Sequence, residues 1–319
     1  MRILASILFF FFCSAFAGVN AQNSQYKFSQ INLSKGLSHN QVNCIYKDAK
    51  GFMWFGTMNG LDRYDGYTFK IFRHSIKDSA SLNDDYISEI QEGPEGKLWI
   101  ETREGVCIYD PATEKFDRFT IGFFRKHSLP EYGLTGIVKA GKDFWFVYPG
   151  DGLYKYMPDG KPVVLKHESN NSTSIDGKRI TDVKADSKNN LWVIHQNGLL
   201  EKVDALQNKV IFRANVFSKE TTNDSLFYNM YIDAQDELWL YATGNLPGIF
   251  YYQPGKNIMG HFAKDSKVAA LSNDIVKGVV QDDKGLIWVA TDHGGANVLD
   301  KKNNTVEVLL NKPDDDKTL

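Results

Sequence analysis

Acid–base and metal chemistry need histidines, cysteines or carboxylates at set spacings, and this chain offers few. Its seven histidines are scattered, and none is spaced to share a metal with another. There is no Gly-x-Ser-x-Gly elbow, no His-Glu-x-x-His, no Cys-x-x-Cys, no phosphate loop and no Gly-x-Gly-x-x-Gly. The expectation is therefore a chain with no catalytic residue, no metal and no cofactor. What remains is a set of polar side chains returning at regular intervals: Asn59, Arg103, Tyr148, His195, Asn197, Asp292 and His293. Arg, Asn, Asp and His offer directed hydrogen bonds, and a tyrosine offers a flat apolar face. That is the chemistry of holding a sugar. For an enzyme, His195, His293 and Arg103 are the only start of an acid–base constellation.

The elements that must position these side chains are visible in the tryptophans. Trp54, Trp99, Trp145, Trp192, Trp239 and Trp288 are 45, 46, 47, 47 and 49 residues apart, with none left over. A fixed period in this range marks a repeat architecture. Asp48, Asp186, Asp233 and Asp282 each stand six residues before a Trp, and they read as hairpin formers. Gly60, Gly105, Gly198 and Gly294 each stand six after one. Each unit reads as four short strands between Gly, Asn and Asp turns. In the first unit these are Val42–Lys47, Phe52–Thr57, Leu61–Tyr64 and Thr68–Arg73. No long stretch has a 3.6-residue period. The fold class is all-β, a β-propeller of four-stranded blades with six repeats visible. The Trp is expected on the second strand, filling the space between neighbouring blades.

A second motif marks the joints. Leu37, Leu82, Ile175 and Leu271 each precede their Trp by 17 residues, and Leu319 matches them. Tyr26–Leu33 reads as a fourth strand with no first three before it. Together these predict a seven-bladed ring, here truncated before its closing blade, with the next Trp at about 48 residues beyond Trp288. Residues 1–21 read as a secretory signal: Arg2, a ten-residue apolar run over Ile3–Phe12, then small residues. That run is too short to span a bilayer, and residues 22–319 are the propeller. Cys44 and Cys107 then remain and read as small buried hydrophobes. With 37 basic and 39 acidic residues and no basic run, no nucleic-acid contact is expected.

"GLSHNQVNCIYKDAKGFMWFGTMNGLDRYDGYTFKIFRH" (36–74) resembles the first blade of the two-component regulator propeller family. Trp54, Gly56, Thr57, Gly60, Leu61, Tyr64 and Asp65 match its signature, Trp99, Thr102, Gly105 and Asp110 follow it, and so do Trp288, Thr291, Gly294 and Asp300. The third to fifth units drift from it. The resemblance implies a periplasmic sensor propeller of a hybrid two-component system that detects glycan-derived oligosaccharides and controls polysaccharide-utilisation genes. It implies as partners an oligosaccharide, a second propeller and membrane-linked histidine kinase modules, with a homodimer possible. This region itself would not be an enzyme. A secreted lyase-like or sialidase-like propeller enzyme and an adhesive or structural propeller stay open as alternatives. Propellers place the loops leading into the first strand and those joining strands two and three on one face. The candidate residues above occupy the joining loops, with His39, Asn40, Asp84, Asp85, Tyr86 and Tyr132 on the lead-in loops beside them.

Overall fold

The computed structural model describes residues 26–217, 226–243, 246–312 and 318–319; the expected signal segment lies outside them. The chain folds into six separate four-stranded sheets, each an antiparallel meander in chain order. The first blade comprises Val42–Lys47, Met53–Thr57, Gly60–Tyr64 and Phe69–Phe72, close to the strands expected. The second strands of the later blades are Leu98–Thr102, Asp143–Tyr148, Leu191–His195, Leu238–Thr243 and Ile287–Thr291, and each carries its Trp. Contacts between first strands join blade 1 to 2, 2 to 3, 3 to 4 and 4 to 5, while blade 5 meets blade 6 through its second strand. A six-residue helix, Ile121–Lys126, interrupts the path from blade 2 to blade 3. Its only fully buried side chain is Phe124, beside Trp99, and a helix this short has no period for a sequence to display.

Five apolar clusters join the blades in succession. Trp54 packs with Ile87, Ile90 and Tyr109 of blade 2, Trp99 with Phe146 of blade 3, and Trp145 with Ile180 and Val183 of blade 4. Trp192 packs with Tyr228 and Leu240 of blade 5, and Trp239 with Val276 and Ile287 of blade 6. Each Trp therefore faces the following blade. The first five are at most 3% exposed; Trp288 is only half-buried. Against it lies Tyr26, its ring edge-on at 4.7 Å.

The aspartates do more than shape hairpins. Asp48 accepts the backbone N–H groups of Lys50 and Phe52 with Oδ1, and its Oδ2 takes the indole N–H of Trp54 at 2.8 Å. Asp233 does the same for Trp239, and Asp282 for Trp288. One carboxylate thus closes the hairpin and fixes the ring that fills the next interface. The joint motif is explained as well. Leu37, Leu82, Ile175 and Leu271 are all buried plugs, and the residue after each locks into its own blade. Ser38 bonds Thr57 and Asp62, Asn83 accepts from Thr102, and Ser272 bonds Thr291 and Asn297.

One feature differs from the sequence reading. Residues 26–32 form no strand, and Leu33–Lys35 is a 3-10 turn. An outer strand needs a third strand to bond, and among the described residues none lies beside this segment. Six blades are present, and among the described residues no apolar cluster joins the sixth to the first. Ile45 is 59% exposed, whereas Ile90, at the same register position of blade 2, is 5% exposed. Val280 on the first strand of blade 6 is also exposed. In urea unfolding, Ile90→Ala should cost about 2–5 kcal/mol, the usual price of a buried cavity. Ile45→Ala should cost well under about 1 kcal/mol, because the side chain already meets water.

Candidate mouth of the propeller

The turns joining strands two and three all leave the same end of their sheets, as do the loops leading into each first strand. Successive blades latch these together. Gly60 N–H bonds the carbonyl of Asp85 at 2.7 Å, Ile180 N–H that of Pro149 at 3.0 Å, and Gly248 N–H that of Asp274 at 2.8 Å. In each latch a turn of one blade holds the lead-in loop of the next. Gly60 has a φ of 127°, and a side chain there would run into the Phe72 carbonyl. The mouth is thus held by backbone bonds rather than left to loose loops.

Of the sequence-derived candidates, five reach this surface. Asn59 and Arg103 are exposed, and the Arg103 guanidinium lies 4.3 Å from the ring centre of Tyr86. That stacking holds a cation at the junction of a joining turn and a lead-in loop. Asn197 is half-buried and caps its own turn through Leu199 N–H. His293 is 93% exposed, with Asp292 Oδ1 at 2.9 Å from its Nδ1 and Lys277 3.7 Å from the same carboxylate.

Two candidates sit elsewhere. Tyr148 is 2% exposed and donates its hydroxyl to the Pro130 carbonyl at 2.9 Å; burial pushes its phenol up. His195 is fully buried. Its Nε2 faces Glu201 Oε2 at 2.7 Å and its Nδ1 faces the Lys178 carbonyl at 2.9 Å. Glu201 also accepts from Arg213 and from Asp176 N–H. Burial raises the Glu201 carboxyl, but the His195 bond and charge, with Asp176 and Arg213, outweigh it and hold it below its usual value. The reason is positional. His195 stands three residues after its Trp, where Thr57, Thr102 and Thr291 form the locks of their blades. Blade 4 makes the same lock with a larger hydrogen-bonded pair, so His195 is a structural residue and not a rim residue.

Sequence reasoning missed two carboxylates between blades 2 and 3. Glu89 on the first strand of blade 2 pairs across to Glu101 on the second. Together with Gln91, Trp99 and Thr135 they line a cavity of about 20 Å³ between blades 2 and 3, room for about one water. Burial pushes the Glu89 carboxyl up, opposed by the Gln91 bond and Lys184, and Asp182 adds a further rise. Glu101 is raised by burial and then by Glu89. Cys44 feels both carboxylates, and burial pushes its thiol up to about 12. Cys44 and Cys107 are both free thiols. Among the described residues no group of three or more His, Cys, Asp or Glu is placed to hold a metal.

With this geometry in hand, the likenesses to known proteins can be placed. Residues 36–59 match the family described as "Two component regulator propeller". Over 81 residues the chain is 38% identical to "Histidine kinase P4" of Formosa agariphila, a match spanning 25% of this chain and 6% of that protein. The extracellular domain of a putative hybrid two-component system of B. thetaiotaomicron superposes with a TM-score of 0.64 at 17% identity. That superposition covers 92% of this chain and 36% of the other. A second such domain from the same organism gives 0.55 at 19% identity, over 86% of this chain and 41% of the other. Virginiamycin B lyase of Staphylococcus aureus gives 0.54 at 16% identity, covering 78% and 76%. The structural likenesses fix the fold; the sequence match to a sensor family lies in the first blade. No helix among the described residues is long and apolar enough to cross a membrane.

Two outcomes follow from the placements. His195→Ala removes one of the three partners of the buried Glu201 carboxylate and should destabilise the chain by roughly 1–3 kcal/mol, while Asn59→Ala should leave the melting temperature within a degree or so. Raised carboxyls bind protons in the folded state that the unfolded chain has released. The stability they confer is fully present below their ordinary value of 4.5 and is lost as pH rises through the higher folded-state values. Melting temperatures measured from about that pH upward should therefore fall less steeply in Glu89→Gln and Glu101→Gln than in the parent chain.

Proposed function

We propose that this chain is the ligand-sensing propeller of a hybrid two-component sensor, exported to the periplasm, and that it detects glycan-derived oligosaccharides to control polysaccharide-utilisation genes. The carrying observation is the coincidence of a six-bladed propeller with a first blade, residues 36–59, that matches the two-component regulator propeller family. The chain is not proposed to be an enzyme. His195 is committed to Glu201 inside blade 4, so a lyase-like or sialidase-like reading keeps only His293 and Arg103 of its starting constellation. The kinase modules, a second propeller and a homodimer belong to this proposal, as does anchoring in the inner membrane.

The oligosaccharide would meet the mouth through Asn59, Arg103, Asn197, Asp292 and His293. Tyr148 and His195 would stand behind that surface and hold its shape. We also propose that a seventh four-stranded unit seats between blades 6 and 1. The exposed Ile45 and Val280 and the half-buried Trp288 support it, since a propeller interface otherwise covers these positions.

Isothermal titration against a panel of plant, algal and host oligosaccharides tests the reading. One of them should bind saturably, and Arg103→Ala with Asp292→Ala should weaken it about tenfold or more without lowering the melting temperature. If every panel member fails to bind, or if the double variant binds as the parent does, the mouth is not the sensing surface.

A further inference from the structure

The face opposite the mouth carries grooves between blades, and one of them has the dressing of an anion site. The residue just after the third strand distinguishes blade 6 from blades 2 and 5. In blade 6 this is Lys301, whose Nζ lies 4.4 Å from the Tyr251 ring centre, bonds Glu237 and fills the space beside Trp239. In blade 5 the same place is held by Pro254, and a groove of about 350 Å³ remains against Trp192 of blade 4. Pro111 of blade 2 likewise leaves a groove of about 260 Å³ beside blade 1.

The two open grooves differ in charge. That between blades 1 and 2 is lined by Asp48, Glu92, Glu95 and Asp110 with the single Lys50. That between blades 4 and 5 presents Lys188, Lys202 and Lys256 with Gln235. Its two carboxylates are already engaged: Asp236 accepts from Ser187 N–H and Oγ, and Glu237 from Gln253 and Lys301. Among the described residues, Lys188 and Lys256 make no ion pair. What the groove has left to offer is donors and positive charge.

Trp192 supplies a second, independent observation. It is 2% exposed, and its Nε1 has no acceptor; Trp145 also lacks one but has no Asp six residues before it, whereas Trp54, Trp239 and Trp288 each bond theirs. Asp186, which should accept it, is instead held by Lys202 Nζ at 2.7 Å and by Asn190 Nδ2 at 3.2 Å. A buried donor without a partner is costly. We propose that the groove between blades 4 and 5 binds a small oxyanion, a carboxylate or sulfate group, held by Lys188, Lys202 and Lys256. An anion there competes with Asp186 for Lys202 and releases Asp186 to accept the Trp192 indole N–H. Binding thereby completes the Asp–Trp hook that three other blades already have. The site is separate from the mouth and does not depend on the reading given above.

Nitrogen-15 labelling of the indoles reads this directly, with inorganic sulfate and sodium glucuronate as probes and glucose as the neutral control. Either anion should move the Trp192 indole N–H saturably to lower field, towards the position of the Asp-bonded indoles. Equal response to both marks a site for a bare oxyanion; response to glucuronate alone marks one for a sugar acid. Lys188→Glu with Lys256→Glu should weaken the response at least tenfold, and Lys50→Glu in the other groove should not. Lys202→Met should shift the Trp192 signal with no anion present, because it frees Asp186. No saturable shift, an equal shift with glucose, or an undiminished response in the double variant would overturn the proposal.

Discussion

The structure depends on one contact repeated along the chain: the tryptophan of a blade's second strand packed on the face of the next blade. A single four-stranded repeat cannot bury its apolar faces alone. Here each sheet becomes one layer of a stack whose cores lie between layers, in the five clusters that hold the first five tryptophans. In blades 1, 5 and 6 the Asp six residues earlier ties the indole N–H to the hairpin and fixes the ring. Close approach is part of the same constraint. At Gly56, a side chain would strike Cys44 and Ile87 of the next blade.

This explains why the residues that point to a family do not name a ligand. Trp54, Gly56, Thr57, Gly60, Leu61 and Asp65 are the signature of the first blade. Each is spent on the blade itself: Trp54 and Leu61 in the core, Thr57 in the lock with Ser38, Asp65 capping its own turn through Tyr67 and Thr68 N–H. Exposed polar side chains lie between these fixed points, at Asn59, Arg103 and His293. Function in a propeller is carried by what the scaffold leaves over.

The blades, their number and the place of the tryptophans were legible because a local pattern repeats. Burial at the strand ends was not. His195 looks like a rim residue by its distance from Trp192, and only its pairing with Glu201 across the hairpin shows that it points inward. The clue was present in register: Thr57, Thr102 and Thr291 occupy the same place, and a position that is Thr in three blades is a lock. Glu89 and Glu101 were missed because alternation along a strand does not say that its polar face closes a cavity against the next blade. Tyr26 was read as part of a strand from its composition, but it serves as a single ring on Trp288. Such non-local facts are set by tertiary contact rather than by spacing.

If stability is passed from blade to blade through the tryptophans, protection must decline toward the seam. Native-state hydrogen exchange measures this. The account predicts slow exchange at Gly136–Ala140 and Ile180–Ala185, first strands flanked on both sides. It predicts markedly faster exchange at Val42–Lys47 and Val276–Gln281, each with one packed neighbour. Equal protection of all four strands would contradict it, because that would require the first and sixth blades to be held as tightly as the rest.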